Sequence, residues 1–244
     1  MERVFVFDID GTLTPSRQRM TEEFTEFFLP FCKKHNVYLV TGSDYGKVLE
    51  QVPKRVLYLV KGVFTCAGNQ YYENGTLLHG KRVTFPEELY NFLEEKITHT
   101  EYHTKTGNHI EVRPSLLNFS TVGRNCTQEQ REEYCHWDLG SGERKELRDE
   151  VKQRFPELDC TIGGEISIDI YPMGHDKSQA ITFIRDRHGI SPISFFGDKL
   201  HHGGNDFPVY SVLNTKDRRR YAIPLDIVVP VKEWKETMKK LKNI

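Results

Sequence analysis

The chain has 244 residues, with 34 Lys+Arg against 35 Asp+Glu and a formal net charge of −1. Hydrophobic residues make up 37% and charged residues 28%, which excludes both a disordered chain and a membrane-embedded one, while the neutral balance argues against a nonspecific nucleic-acid binder. At roughly 100–200 residues per domain, the length allows one large domain or two modest ones.

In chain order, residues 4–7 form a continuous apolar run that stops at Asp8, the pattern of a buried parallel strand. Thr21 followed by Glu22 and Glu23 predicts an N-capped helix. Residues 37–40 read as a second buried strand ending at Thr41-Gly42-Ser43-Asp44, and 45–51 as a helix. Residues 57–60 and 63–65 read as strand pieces, and 71–78 as a hairpin around Asn74-Gly75. The texture changes near residue 80. Helices are predicted over 86–96, 128–134 and 144–155, and short strands over 110–113 and 117–121. Residues 166–171 alternate apolar and polar, as a half-exposed antiparallel strand does. The α/β texture returns with a helix over 177–187 and a buried strand over 193–196 that ends at Gly197-Asp198. The reading is a split α/β protein: a parallel-sheet core from 1–80 and 177–244, with an α+β insertion at 81–176.

The apolar start is too short for a signal peptide, and no run approaches the ~20 residues of a membrane span. Five cysteines, odd in number and without a CxxC pair, read as reduced thiols in a cytoplasmic protein.

The chemistry sits at the acidic ends of the buried strands, where open α/β sheets bind ligands. Asp8 and Asp10 lie two positions apart in Asp8-Ile9-Asp10-Gly11-Thr12. Two carboxylates facing one site repel unless a cation or a shared proton offsets them. Mg²⁺ takes few carboxylates plus phosphate oxygens, so the pair suits a phosphate-handling metal site. Asp198 and Asp206, in the Gly-rich stretch after the strand at 193–196, are candidates to complete the ligand set. His201-His202 between them reads as a solvated loop. Thr41 and Ser43 offer hydroxyl and backbone donors to a phosphoryl oxygen, and Lys177 opens a helix from which its ammonium reaches a strand-end phosphate. Arg17, Arg113, Arg124 and Arg131 are candidates for bidentate phosphate recognition, although each also suits a solvated surface. Ser167 and Asp169 share one strand face and suit either sugar hydroxyls or solvent.

These four segments, in this order, resemble the four motifs of the haloacid dehalogenase superfamily of phosphotransferases. The resemblance implies a nucleophilic Asp8 that becomes an aspartyl phosphate, and an Asp10 that acts as general acid/base and lends its backbone carbonyl to Mg²⁺. It implies that Thr41 or Ser43 and Lys177 hold the phosphoryl group, and that Asp198 and Asp206 anchor the metal. The stretches 110–131 and 162–177, with Phe195-Phe196-Gly197-Asp198-Lys199 and Gly203-Gly204-Asn205-Asp206, are similar to eukaryotic-type phosphomannomutases up to about residue 206. That likeness makes the insertion a cap domain and Arg17, Arg113, Arg124, Arg131, Ser167 and Asp169 substrate-binding positions. The implied activity interconverts mannose 6-phosphate and mannose 1-phosphate, primed by a hexose 1,6-bisphosphate, and supplies GDP-mannose synthesis. The implied partners are hexose phosphates and a second copy bound through the cap, with no nucleic acid and no membrane.

The chain departs from that family at Thr41, where the family has Gly, and at Val212, where a second cation loop usually carries Asp. It also departs at 66–70, at Arg218-Arg219-Arg220 and over 222–230. Two rivals stand beside the mutase: a sugar-phosphate phosphatase with water as acceptor, and a non-catalytic sugar-phosphate binder.

Overall fold

The computed structural model describes residues 2–80, 82–114, 116–189, 191–214 and 225–244. It divides into two compact units, Met1–Gly80 with Asp176–Ile244, and Lys81–His175.

In chain order the first unit begins with β1 (Val4–Asp8), α1 (Glu22–Lys34), β2 (Asn36–Val40), α2 (Tyr45–Gln51), α3 (Lys54–Leu57), β3 (Gly62–Thr65), β4 (Gln70–Glu73) and β5 (Thr76–Gly80). The second unit holds α4 (Glu87–His99), β6 (Ile110–Val112), β7 (Leu117–Phe119), α5 (Gln128–Ser141), α6 (Glu143–Arg154), β8 (Leu158–Gly163) and β9 (Ser167–Pro172). The first unit resumes with α7 (Ser178–His188), β10 (Ile193–Gly197), α8 (Phe207–Asn214), β11 (Ile227–Pro230) and α9 (Trp234–Leu241).

Among the described residues the first unit carries a seven-stranded sheet in the order β11-β10-β1-β2-β3-β4-β5. The pairs from β11 to β3 are parallel, and the β4–β5 hairpin adds an antiparallel edge. Asn74 and Gly75 turn that hairpin with φ of 50° and 80°, the left-handed pair that a tight two-residue turn needs. Alternation explains the unbroken apolar run of β1. Phe5 and Phe7 pack with Phe24 and Phe28 of α1, while Val4 and Val6 pack on the opposite face with Ile181 of α7 and Val209 of α8. Helix α1 starts where its cap predicts: the Phe24 N–H donates to Thr21 Oγ1 at 3.2 Å. The order reverses at β1, which lies between β2 and β10, so this is the switch point where such sheets open a crevice.

The second unit is an antiparallel sheet in the order β6-β7-β9-β8. Cross-strand partners share a face. One face carries the rows Ile110–Phe119–Ile168–Ile162 and Val112–Leu117–Ile170–Cys160. Most of these pack with Leu89 and Phe92 of α4 and with Leu147 and Val151 of α6. The other face carries the polar row Glu111–Asn118–Asp169–Thr161.

Three expectations need correction. Residues 57–60 are not a strand: α3 ends at Leu57 and a turn follows. Val52, Val56, Leu57 and Val60 all enter the core at helical spacing, which a short apolar run conceals. The strand at 166–171 is not half-exposed, because every residue from Ser167 to Tyr171 in β9 is buried. The predicted helix at 128–134 runs on to Ser141. Strands β8 and β11 and helices α8 and α9 were not foreseen. All five cysteines are free thiols. No described helix is long and apolar enough to cross a membrane.

Candidate active site

In the first unit, β1 and β10 run parallel and deliver acids at their carboxyl ends. Asp8 is the last residue of β1 and is 3% exposed; Asp198 follows β10. Asp206 lies just before α8 and is fully buried. Oxygen atoms of these three carboxylates lie within 4.8 Å of one another. Two glycines make the convergence possible. A Cβ on Gly11 would stand 2.6 Å from Asp198 Oδ2, and one on Gly197 would stand 2.6 Å from Asp206 Oδ2.

Lys177 immediately precedes α7 and is 1% exposed. Its Nζ donates to Asp8 Oδ1 at 2.5 Å and to Asp206 Oδ1 at 2.8 Å. The Lys199 N–H donates to Asp206 Oδ2 at 3.0 Å. Burial pushes the Asp8 carboxyl well above its ordinary range; Lys177 opposes this, and Asp206 and Asp198 add to it. Burial, then Asp206, push Asp198 up to about 6. Burial disfavours the Lys177 ammonium, but Asp206 and Asp8 outweigh it and hold the proton on. One ammonium against three carboxylates leaves surplus negative charge in a dry site. That donor set, all oxygen and electron-rich, fits a hard divalent cation.

Asp10 stands apart from this cluster. Its Oδ1 accepts from the Arg17 N–H at 2.6 Å and from Gln51 Nε2 at 2.8 Å. Arg17 has φ of 58°, a left-handed conformation that turns its N–H toward Asp10. The intervening loop closes on the Ile9 carbonyl, which accepts from the Thr12, Leu13 and Thr14 N–H groups. Thr237 of α9 donates its hydroxyl to the Thr12 carbonyl at 2.6 Å. Thr41 follows β2, is buried, and its Oγ1 accepts from the Ser43 N–H at 3.1 Å. The Thr41 and Ser43 carbonyls accept from Ala67 and Cys66, two non-glycine residues at φ of 57° and 50°.

In the second unit, Arg113 Nη2 lies 2.9 Å and Arg124 Nε 3.3 Å from Glu111 Oε2. Arg131 of α5 pairs with Glu165 at 3.8 Å. Asp169 Oδ1 accepts from Asn118 Nδ2 at 2.7 Å, and Ser167 Oγ donates to the Gly163 carbonyl at 3.0 Å. A Cβ on Gly163 would meet Asp169 Oδ2 at 2.5 Å.

The structure therefore brings Asp8, Asp198, Asp206 and Lys177 together, with Asp10 on the adjoining loop. It gathers Arg113 and Arg124 on one glutamate and sets Ser167 and Asp169 on the polar sheet face. Sequence reasoning missed Gln51, Thr237, Glu111 and Glu165, whose partners are remote or whose charge reads as ordinary surface. Asn118 lies within the 110–131 stretch, which by itself gives it no role. His201 and His202 are exposed. Val212 lies in α8, half-buried against the core, so that helix offers no carboxylate at the departed cation position. Arg218, Arg219 and Arg220 lie outside the described residues, as do 222–224 of the tail.

Residues 24–240 match the family model described as eukaryotic phosphomannomutase. Over 217 residues the chain is 37% identical to a phosphomannomutase of Dendrobium officinale, covering 85% of this chain and 84% of that one. It is 36% identical over 222 residues to a phosphomannomutase of Arabidopsis thaliana, covering 85% and 86%. Among solved structures, the C-terminal domain of Candida albicans trehalose-6-phosphate phosphatase aligns with a TM-score of 0.62 at 16% identity, covering 99% of this chain and 91% of that one. An IMP-bound, N-terminally truncated Plasmodium falciparum IMP-nucleotidase aligns at 0.65 and 17%, covering 100% and 68%. At such identities the structures speak for the fold alone, a haloacid-dehalogenase-like parallel-sheet core, and the sequences speak for the family. The chain belongs to the eukaryotic phosphomannomutase family.

Proposed function

We propose that the protein is a Mg²⁺-dependent phosphomannomutase that interconverts mannose 6-phosphate and mannose 1-phosphate through an aspartyl phosphate on Asp8. The observation that carries this reading is the pairing of a buried Asp8 with Lys177, beside an Asp10 that its own loop holds ready. A carboxylate nucleophile splits the transfer into two steps. Asp8 attacks phosphorus, and Asp10 protonates the departing sugar oxygen; in the second step Asp10 takes the proton from the accepting hydroxyl. Lys177, with Thr41 and Ser43, steadies the phosphoryl oxygens. Asp8, the Asp10 carbonyl, Asp198 and Asp206 would hold Mg²⁺, which supplies charge neutralisation on those oxygens. Arg17, Arg113, Arg124 and Arg131 bind the substrate's other phosphate, and Ser167 and Asp169 its hydroxyls. A hexose 1,6-bisphosphate primes the cycle. The product feeds GDP-mannose synthesis in the cytoplasm, and the second unit supplies a homodimer contact.

A phosphatase on the same scaffold is the second reading, favoured by Thr41 in place of the family's glycine. The deciding experiment supplies mannose 1-phosphate, Mg²⁺ and a trace of glucose 1,6-bisphosphate. Mannose 6-phosphate accumulates if the mutase reading holds; release of inorganic phosphate alone establishes the phosphatase. Asp8→Asn lowers turnover by about 10⁴-fold or more while the circular dichroism spectrum is retained.

A further inference from the structure

We infer that Gln51 is a positioning residue for Asp10, one that fixes which carboxyl oxygen exchanges the proton. The inference rests on the acid/base reading of Asp10 given above.

Gln51 closes α2 and is 1% exposed, 41 positions from Asp10 along the chain. Its Nε2 faces three acceptors: Asp10 Oδ1 at 2.8 Å, the Gln18 carbonyl at 3.3 Å and Thr14 Oγ1 at 3.4 Å. The Thr14 hydroxyl donates to the Ile9 carbonyl at 3.3 Å, so its lone pair is what Gln51 meets. This set decides the amide's orientation. Turned over, Oε1 would face a carboxylate and a carbonyl with no proton between them. Oε1 itself is buried without a hydrogen-bond partner, so the amide accepts an unpaired oxygen to keep its donor on Asp10. The backbone ties the same two segments, because the Met20 N–H donates to the Gln51 carbonyl at 2.8 Å.

The consequence for Asp10 is asymmetric. Oδ1 already receives two donors, Gln51 Nε2 and the Arg17 N–H. Oδ1 is therefore held by two donors, and Oδ2 is the oxygen left to meet the substrate. In the forward half-reaction the Asp8–phosphorus bond forms, the phosphorus–sugar oxygen bond breaks, and the Oδ2 proton passes to that sugar oxygen. In the return half-reaction Oδ2 takes the proton of the attacking hydroxyl as the Asp8–phosphorus bond breaks. Without Gln51, the carboxyl keeps one anchor and rotates about its last bond.

The test compares two phosphoryl donors. A sugar phosphate needs a proton on its leaving oxygen, whereas acetyl phosphate leaves as a carboxylate that is stable at neutral pH. Gln51→Met keeps the side chain's size and removes its donor. Its kcat on mannose 1-phosphate falls on the order of 10²-fold with KM shifted less than about threefold. Phosphorylation of Asp8 by acetyl phosphate, followed by intact-protein mass, falls at least about tenfold less. Equal losses on both donors, or no loss on either, overturn the inference. Asp10→Asn separates the two readings. If that variant keeps full sugar-phosphate turnover, the acid/base reading fails; if it collapses while Gln51→Met does not, only the role of Gln51 fails. Should Gln51→Met not fold, Gln51→Glu carries the same comparison, and failure of both to fold makes Gln51 a folding determinant and overturns the inference.

Discussion

The two units handle charge in opposite ways. In the first, three carboxylates crowd one ammonium in a dry crevice, and Asp8 and Asp198 are both driven toward protonation. In the second, the phosphate-binding candidates already face carboxylates: Arg113 and Arg124 share Glu111, and Arg131 faces Glu165. The first site is short of positive charge and gains by taking up a cation. The second is only partly offset, three guanidinium groups against two carboxylates, so on the proposed reading an incoming phosphate competes with a resident glutamate. On the reading proposed above, a metal site and a releasable phosphate grip suit a reaction whose intermediate must exchange its two phosphates.

The largest test of this contrast is Lys177→Met. Removing one partner from a buried ion pair costs about 3–5 kcal/mol, because Asp8 and Asp206 then lose their compensating charge. Urea unfolding without metal shows that loss, and Mg²⁺ restores part of it. An unchanged unfolding midpoint would mean that the carboxylates are not strained against one another.

In the second unit, Arg124→Ala raises KM for mannose 1-phosphate about 10- to 100-fold, the worth of one charged hydrogen bond. Glu111→Gln moves the other way and lowers KM about threefold, since Arg113 and Arg124 lose a competitor that is itself about a third exposed. Steady-state kinetics on both variants check the pair. A rise in KM for Glu111→Gln would show that the glutamate orders the arginines more than it competes with the ligand.

The smallest effect is a pH dependence. A carboxyl whose folded pKa lies above its unfolded value stabilises the metal-free protein at low pH and loses that contribution as pH rises. For Asp198 the window runs from the ordinary carboxylate range to about 6. A bound cation requires the ionised form. The rise in Tm on adding Mg²⁺ is therefore larger at pH 7.5 than at pH 5, by a few degrees in differential scanning fluorimetry. An equal rise at both values would place the cation away from Asp198.

The first unit's site was legible because each piece is local. An apolar run that stops at an acid, or one residue short of it, marks a strand end, as at Asp8 and Asp198, and Lys177 opens a helix whose pattern is equally local. The polar face of the second unit was legible only in part. Ser167 and Asp169 showed a shared face, but nothing in the residues announced that Asn118 satisfies Asp169 from a neighbouring strand. Gln51 and Thr237 were silent for the same reason, since each acts on a loop far away in the chain. The 57–60 error was one of period: four apolar residues in a row fit a strand or a helical turn equally well. Strand β11 went unread because residues 222–230 read as a departing tail, whereas Ile227–Pro230 pair in parallel with β10 at the sheet edge.

The placement of β1 between β2 and β10 also governs how the molecule is made. Arg3 bonds Ser194 across 191 positions, and Thr237 reaches the Thr12 carbonyl across 225. Such contacts form late, because a long loop must close before they reward the chain. During synthesis β1 precedes β10, so one of its edges stays unpaired until the second unit has been made. The contiguous second unit needs no such wait. In chain order the second unit thus precedes the segments that bring Lys177, Asp198 and Asp206 to Asp8 and Thr237 to the loop beyond it.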